Sequence, residues 1–408
     1  MNMERYFERN KEQLQEVFQK FRCTTYGRKL NLPSDFKNYY DFTKLPLLNS
    51  QETNFDEVYV PGEELWCFVT TGVSGLRKTV YRDVGTIVGY PKEMNEVLQH
   101  NDTLFLHSRR REREGYYETH DFNHKRMYPQ GIFKEYNNKE ELLKYVQVGD
   151  VLFIVEYPLM TEWICYQIES ALTSRKIKHE NLRKRKVYLE LSGEPVTEKQ
   201  IKNIVDRLKK IFQADIDYFV TYGSNEIGHI GTYVPILHGS DVMYEVVPSL
   251  FVEEINNELI ITPFAKTGTI LFRYKTGDKG TLFFKNDRLF IEVFGKNEDE
   301  QTLYIAGAQA NMNKLVFELT NLLGSPIGLV VGKNEDKYKG RYGLNITLHT
   351  FDSLNDSTKH KLFLFVKQFI MNSALLEVES RLGIFDLNIA YSTKPLKKQV
   401  FFCNGKER

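Results

Sequence analysis

Between residues 151 and 224 the chain alternates short, unbroken apolar runs with segments of helical period. That alternation constrains the fold more than any other feature. Val151–Val155 (VLFIV) is the first run, and Pro158 stops it. Thr161 is placed to cap a helix with Trp163, Ile164, Ile168 and Leu172 on one side. Val187–Leu191 is the second run, followed by Ser192-Gly193-Glu194-Pro195 and a capping-box match, Thr197-x-x-Gln200. The helix beyond it spaces Ile201, Ile204, Val205, Leu208 and Phe212 at helical period. Ile216–Val220 is the third run and leads into Tyr222-Gly223. Strand, loop and helix in this order specify an α/β domain. In such domains ligands bind where loops leave the carboxyl ends of the strands.

The 408 residues exceed what one compact core accommodates, so the chain divides. Before the α/β region, Tyr6, Phe7, Leu14, Val17 and Phe18 fit one face of an N-terminal helix, and Pro46 breaks the pattern. Leu65–Val69 is a buried strand ending in the polar, Gly-bearing stretch Thr70–Lys78. After about residue 255 short strands take over: Glu258–Ile261, Thr269–Phe272, Thr281–Phe284 and Leu289–Val293, with Asn286-Asp287 as a hairpin turn between the last two. The tail reads as a helix over Lys314–Leu323, strands at Gly328–Val331 and Leu344–Leu348, a helix over Lys359–Met371 and a strand at Leu387–Tyr391. A boundary near Gly295 gives two domains, residues 1–294 and 295–408.

Fifty-five Lys and Arg stand against 54 Asp and Glu, a net charge of +1. That balance creates no whole-protein basic field and disfavours nucleic acid as a partner. The four Cys form no CxxC pair, which argues against a Cys-rich zinc site. The cysteine usage fits a reducing, cytoplasmic setting. The longest apolar runs fall short of the ~20 residues a membrane span needs. MNMERYFERNKEQ lacks the apolar core of a signal peptide. Two basic clusters, Arg109–Arg113 and Arg175–Lys186, read as solvated faces or as surfaces for an acidic carrier protein or the phosphates of coenzyme A.

Three short constellations carry chemistry. The first, Thr70-Thr71-Gly72-Val73-Ser74-Gly75-Leu76-Arg77-Lys78, directly follows a strand. Its two Gly allow close backbone approach to a phosphate, and its hydroxyls and Lys78 supply donors. The GxxxxGK[ST] spacing of a Walker loop is absent. The second, Tyr222-Gly223-Ser224-Asn225-Glu226, places a carboxylate just past a strand, where it suits Mg²⁺. The third, Arg273-Tyr274-Lys275-Thr276-Gly277-Asp278, presents an Asp in a turn that can accept from a ribose diol.

In this order the three segments resemble the adenylate-forming superfamily of acyl-CoA synthetases, adenylation domains and luciferases. That family carries a Ser/Thr/Gly-rich phosphate loop, a Y-G-x-[ST]-E segment and an R-Y-x-T-G-D turn. Within it the chain is similar to the phenylacetate–CoA ligase branch: Asp41-Phe42-Thr43-Lys44-Leu45-Pro46 resembles its leader, Ser192–Glu198 (SGEPVTE) its GGEPLTE segment, and Glu258–Thr262 its GELVVT strand. Val73 stands where the family has a hydroxyl, Arg77 where it has Pro, and Asn225 where it has Thr or Ser. Gly295-Lys296-Asn297-Glu298-Asp299 resembles its G-R-x-D-D hinge, with Lys296 for Arg.

The resemblance implies a large N-terminal multi-layer α/β domain with a β-rich subdomain, and a small mobile α+β C-terminal domain. It implies activation of a carboxylic acid by ATP as acyl-AMP, with release of pyrophosphate. Thr70, Thr71, Gly72, Ser74, Gly75 and Lys78 would cradle the phosphates, and Glu226 with Thr71 would hold Mg²⁺. Ser192, Gly193, Glu194, Pro195, Tyr222 and Gly223 would frame the adenine, Asp278 the ribose, and Lys296 would sit at the hinge beside the nucleotide. Lys397, with Lys398 as the alternative register, would bring a charge from the tail to the carboxylate and α-phosphate. The catalytic set is thus Lys397, Glu226 and Lys78. His229 is read either as lining the acyl pocket or as a structural loop residue. The acceptor is a thiol, of coenzyme A or of an acyl carrier protein's phosphopantetheine, with an amine or hydroxyl as the alternative. A homodimer is within the family's range. The departures at Val73, Asn225 and Lys296 also motivate a non-catalytic nucleotide-binding protein.

Overall fold

The computed structural model describes residues 2–49, 54–62, 65–70, 78–83, 103–108, 131–193, 196–224, 226–233, 242–265, 267–296, 302–305, 308–336, 338–350, 353–371, 380–393 and 400–403. Five strands form the α/β part of a twelve-stranded sheet: Ile132–Tyr136, Thr103–Ser108, Val151–Glu156, Lys186–Leu191 and Ile216–Ser224, in that spatial order and all parallel. Val151–Glu156 and Lys186–Leu191 are buried almost throughout, which is why they read as unbroken apolar runs. Alternate residues divide between two faces. Leu152, Ile154, Val187 and Leu189 join the main core, whereas Phe105, Phe153, Tyr188 and Phe219 form an aromatic cluster on the other face.

The helices Pro158–Thr173 and Glu198–Phe212 pack against each other beside this sheet. The second starts as expected, with the Thr197 hydroxyl accepting from the Gln200 amide at 3.2 Å. The first corrects the sequence reading. Pro158 does not merely stop the strand; it occupies the first helical position behind Tyr157, where its missing N–H costs nothing. Thr161 lies inside that helix and donates back to the Tyr157 carbonyl at 3.1 Å.

Past Ser224 the sheet continues antiparallel through Gly228–Tyr233, Met243–Val246, Arg288–Lys296, Tyr274–Lys285, Glu258–Pro263 and Leu250–Ile255. Asn256-Asn257 and Asn286-Asp287 turn its hairpins, each with both residues at positive φ. The strand expected over Thr269–Phe272 is shorter, Gly268–Thr269, paired with Tyr59–Val60. The N-terminal helix Met3–Cys23 covers this region, stacking Tyr6 on Phe251 (4.8 Å between centroids) and Phe21 on Phe272 (5.5 Å).

A second unit follows: a four-stranded sheet ordered Phe385–Ser392, Arg341–Thr350, Ile327–Asp336, Val400–Cys403. The helices Met312–Leu323 and Asp356–Ile370 bury Leu315, Leu319, Leu362 and Val366, while Leu329, Leu344, Ile346 and Leu348 are the buried residues of the sheet. A large mixed α/β sheet and a small C-terminal α+β unit match the expected fold class.

Arg273, the first residue of the R-Y-x-T-G-D segment, is 1% exposed and serves the fold. Its guanidinium pairs with both oxygens of Glu253 at 2.9 Å and donates to the carbonyls of Phe42, Thr43 and Leu45. It also lies 5.0 Å from the Phe42 ring centroid. Burial raises the Glu253 carboxyl above its usual range, and the Arg273 contacts oppose that rise. Replacing Glu253 by Gln leaves the guanidinium buried without its counter-charge. Unfolding by denaturant should show a loss of about 3–5 kcal/mol for Glu253→Gln, against a much smaller one for Glu254→Gln at the exposed neighbour.

Candidate functional site

The five parallel strands end at one edge, so the described segments 137–138, 157, 192–193 and 226–227 emerge together. Ser192 donates its backbone N–H to the Glu156 carbonyl at 3.3 Å, and Gly193 follows at φ +80°. That conformation favours glycine. Glu194 and Pro195 lie outside the described residues. Two buried carboxylates at this edge escaped the sequence reading: Glu156 accepts from the Tyr136 hydroxyl at 3.0 Å, and Glu190 from the Thr221 hydroxyl at 3.1 Å. The signal was a lone acid inside an apolar run, VLFIVE and VYLEL.

Tyr222 and Gly223 lie inside the strand Ile216–Ser224, not in a loop beyond it, because the strand runs past its parallel neighbour to pair with Gly228–Tyr233. A side chain on Gly223 would strike the Gly228 carbonyl of that partner strand. Glu226 occupies the hairpin turn, half-buried, where the Ile227 amide donates to the Ser224 hydroxyl at 3.2 Å. Asn225 lies outside the described residues.

Asp278 is likewise in a strand, Tyr274–Lys285, and not in a simple turn. The strand bulges there: Lys275 faces Ile260 and Lys279 faces Glu258, so four residues span what two do opposite. Gly277 takes φ +75°, and the Thr276 hydroxyl accepts from the Asp278 amide at 3.0 Å. The bulge aims the Asp278 carboxylate at Tyr222, whose hydroxyl donates to it at 2.6 Å. Burial, then the nearby carboxylate, raises the Tyr222 phenol well above its usual range, so it remains a donor. The two strands are four steps apart in the sheet, about 19 Å if it were flat. The sheet therefore curls to let their side chains meet.

Lys296 is the register partner of Asp278 on Arg288–Lys296, directly after Gly295 at φ +112°. The hinge-like segment thus begins beside the Asp278 bulge. Thr70 and Lys78 are register partners in the antiparallel pair of Leu65–Thr70 and Lys78–Asp83. Thr71, Gly72, Val73, Ser74, Gly75 and Arg77 lie outside the described residues, as do Lys397, Lys398 and the cluster Arg109–Arg113. The other basic cluster precedes Lys186–Leu191 and so lies at the sheet edge opposite the candidate site. Within it, the Lys184 ammonium is buried on the carbonyls of Val148 and Gly149 at 2.8 and 2.6 Å. Among the described residues no group of three His, Cys, Asp or Glu is arranged to hold a metal, and no helix is long and apolar enough to cross a membrane.

His229 pairs in register with Gly223. Its Nε2 lies 3.0 Å from the Thr232 hydroxyl, while its Nδ1 is buried without a hydrogen-bond partner. Burial lowers its pKa to about 4.

No protein-family model matches the chain, and no curated protein matches it. Among solved structures, 2-hydroxyisobutyryl-CoA ligase in an open conformation with 2-HIB-AMP and CoA aligns over 97% of this chain and 92% of its own, at 12% identity and a TM-score of 0.48. The same ligase in its postadenylation state with R3-HIB-AMP gives 97%, 90%, 12% and 0.46. The o-succinylbenzoate CoA synthetase of Bacillus subtilis, bound with a product analogue, aligns over 81% of this chain and 66% of its own, at 14% identity and 0.46. All three are structures of CoA ligases or synthetases. The assignments below rest on this chain's own residues.

The buried imidazole sets a pH dependence. An unfolded chain takes up the His229 proton near pH 6.5, whereas the folded one resists until about pH 4. Stability contributed by the neutral ring is therefore lost as pH falls through that window. In His229→Gln the decline in denaturant midpoint between pH 6.5 and pH 4 should be visibly shallower than in the parent; parallel curves would remove the residue from the buried set.

Proposed function

We propose that the chain activates a carboxylic acid with ATP as acyl-AMP, releases pyrophosphate, and passes the acyl group to a thiol. The supporting observation is the meeting of two separate motifs at one corner of the sheet. The Tyr222 hydroxyl touches the Asp278 carboxylate, and Asp278 stands in register with Lys296. In this reading Asp278 accepts from the ribose, while Tyr222, Gly223, Ser192 and Gly193, with Glu194 and Pro195, frame the adenine. Thr70, Lys78 and the loop between them hold the phosphates.

Electrostatics sets the chemistry. The attacking carboxylate and the α-phosphate are both negative, so the site must cancel their repulsion and the charge growing on pyrophosphate. Glu226 offers a hard oxygen ligand, and a single carboxylate with phosphate oxygens and water is enough for Mg²⁺. Bound there with Thr71, that ion would supply charge neutralisation. Lys78 adds a point charge at the mouth of the phosphate loop, and Lys397 a second one from the C-terminal unit. No general base is needed, because the nucleophile is ionised at neutral pH. We assign residues 1–294 to the catalytic domain and 295–408 to the domain that carries the lysine, and place the reaction in a reducing cytosol, with coenzyme A or a carrier phosphopantetheine as acceptor.

Pyrophosphate exchange over a panel of carboxylic acids tests the reaction, and absence of exchange with every acid would favour a non-catalytic nucleotide-binding role. Asp278→Asn should weaken nucleotide binding by about 1–3 kcal/mol in calorimetry, with a smaller effect on turnover at saturation. Glu226→Gln should keep the fold and lower exchange by on the order of 10²-fold. Lys397→Ala should lower exchange to a similar degree yet transfer the acyl group from pre-made acyl-adenylate at close to the parent rate. If Lys398→Ala gives that pattern instead, the register of the tail moves by one.

A further inference from the structure

The hairpin between Ile327–Asp336 and Arg341–Thr350 reaches out of the C-terminal sheet and rests on the helices Pro158–Thr173 and Glu198–Phe212. Four independent contacts meet there. Arg207 pairs with both oxygens of Glu169, at 2.9 and 2.8 Å, so the two helices present one fixed guanidinium. That guanidinium donates to the Tyr338 carbonyl at 3.1 Å and lies 4.8 Å from the Tyr338 ring centroid. The Tyr338 ring meets Tyr166 edge-on at 6.3 Å. Gly340, at φ +58°, sets its backbone against Leu159 and Trp163, where any side chain would collide with helix backbone.

We infer that this hairpin tip is a latch and that Arg207 is its positioning residue, fixing how the C-terminal unit sits on the α/β domain. Tyr338 remains 61% exposed although its ring covers the guanidinium. Arg207 is only 6% exposed, and its charge stays matched by Glu169 when the tip leaves. The guanidinium therefore keeps its counter-charge whether or not the tip is docked. The guanidinium plane contributes a stacking surface and a fork of donors together, and lysine cannot replace either. The latch also docks near the candidate site: Leu159 is two residues from Tyr157, whose side chain borders Gly193. On the proposed reaction, which this consequence rests on, the orientation held by the latch is that of the unit bearing Lys397.

Small-angle scattering and hydrogen exchange on the full chain test the latch without any turnover, so it stands or falls separately from the adenylation reading. Tyr338→Ala and Gly340→Val should each lengthen the maximum dimension and broaden the distance distribution. Leu159–Ser170 amides should lose protection by tenfold or more, while Leu344–Leu348 amides keep theirs. Arg207→Lys should behave like Tyr338→Ala. Tyr338→Phe retains the carbonyl and the ring and should match the parent. Scattering curves that superimpose on the parent for both Tyr338→Ala and Gly340→Val overturn the latch, as does equal loss of protection in the two units, which would mark general destabilisation.

Discussion

The buried pair of Arg273 and Glu253 is the constraint on which the rest of the larger unit depends. Removing two charges from water is costly, and their attraction repays it only if the remaining donors are satisfied. Here the spare guanidinium N–H groups are satisfied by the Phe42, Thr43 and Leu45 carbonyls, so the leader segment is held in place by the pair's own need for partners. The chain around Arg273 ties in further pieces: Leu48 donates to the Arg273 carbonyl, Ile270 to Val58, and Tyr81 to the Thr269 hydroxyl. One short stretch, 268–278, thereby joins the N-terminal leader, the strand pair of Leu65–Thr70 and Lys78–Asp83, and the Asp278 bulge. The energetic centre of the R-Y-x-T-G-D segment is its arginine, five residues from Asp278.

The site follows from irregularities imposed on regular strands. A sheet with unbroken registers would leave Tyr222 and Asp278 far apart and would point successive side chains to opposite faces. The two-residue excess at 276–278 re-aims the carboxylate, and the curl of the sheet brings Tyr222 to it. Thr276 serves twice in holding the bulge, donating to the Leu259 carbonyl and accepting from the Asp278 amide. The Tyr222 phenol and the His229 imidazole both lie on the Ile216–Ser224 and Gly228–Tyr233 hairpin, and burial favours the neutral form of each.

The two units are built on different principles. The larger unit is built on a long sheet whose central parallel strands, Val151–Glu156 and Lys186–Leu191, are buried on both faces, and the N-terminal helix packs on part of its antiparallel half. The C-terminal unit is a single sheet with two helices, and it meets its neighbour through a polar hairpin tip.

Periodicity in the chain determined most of the elements. The apolar runs of the parallel strands, the Thr197 cap and the Asn286-Asp287 turn are local features, and each formed where the residues place it. Local chemistry also marked Tyr222, Glu226 and Asp278, because glycine, hydroxyl and carboxylate groups cluster around them. What only the tertiary structure decided is how these residues are used. Pro158 opens a helix because a sheet edge ends there, Tyr222 remains in a strand because a hairpin partner extends it, and Asp278 stands in a bulge because Glu258–Pro263 is two residues short of it. The partners of Arg273 and Arg207 lie up to 231 residues away. A long cationic side chain carries no mark in the sequence of whether it is solvated or buried on distant carbonyls, since that depends on which segments packing brings to it.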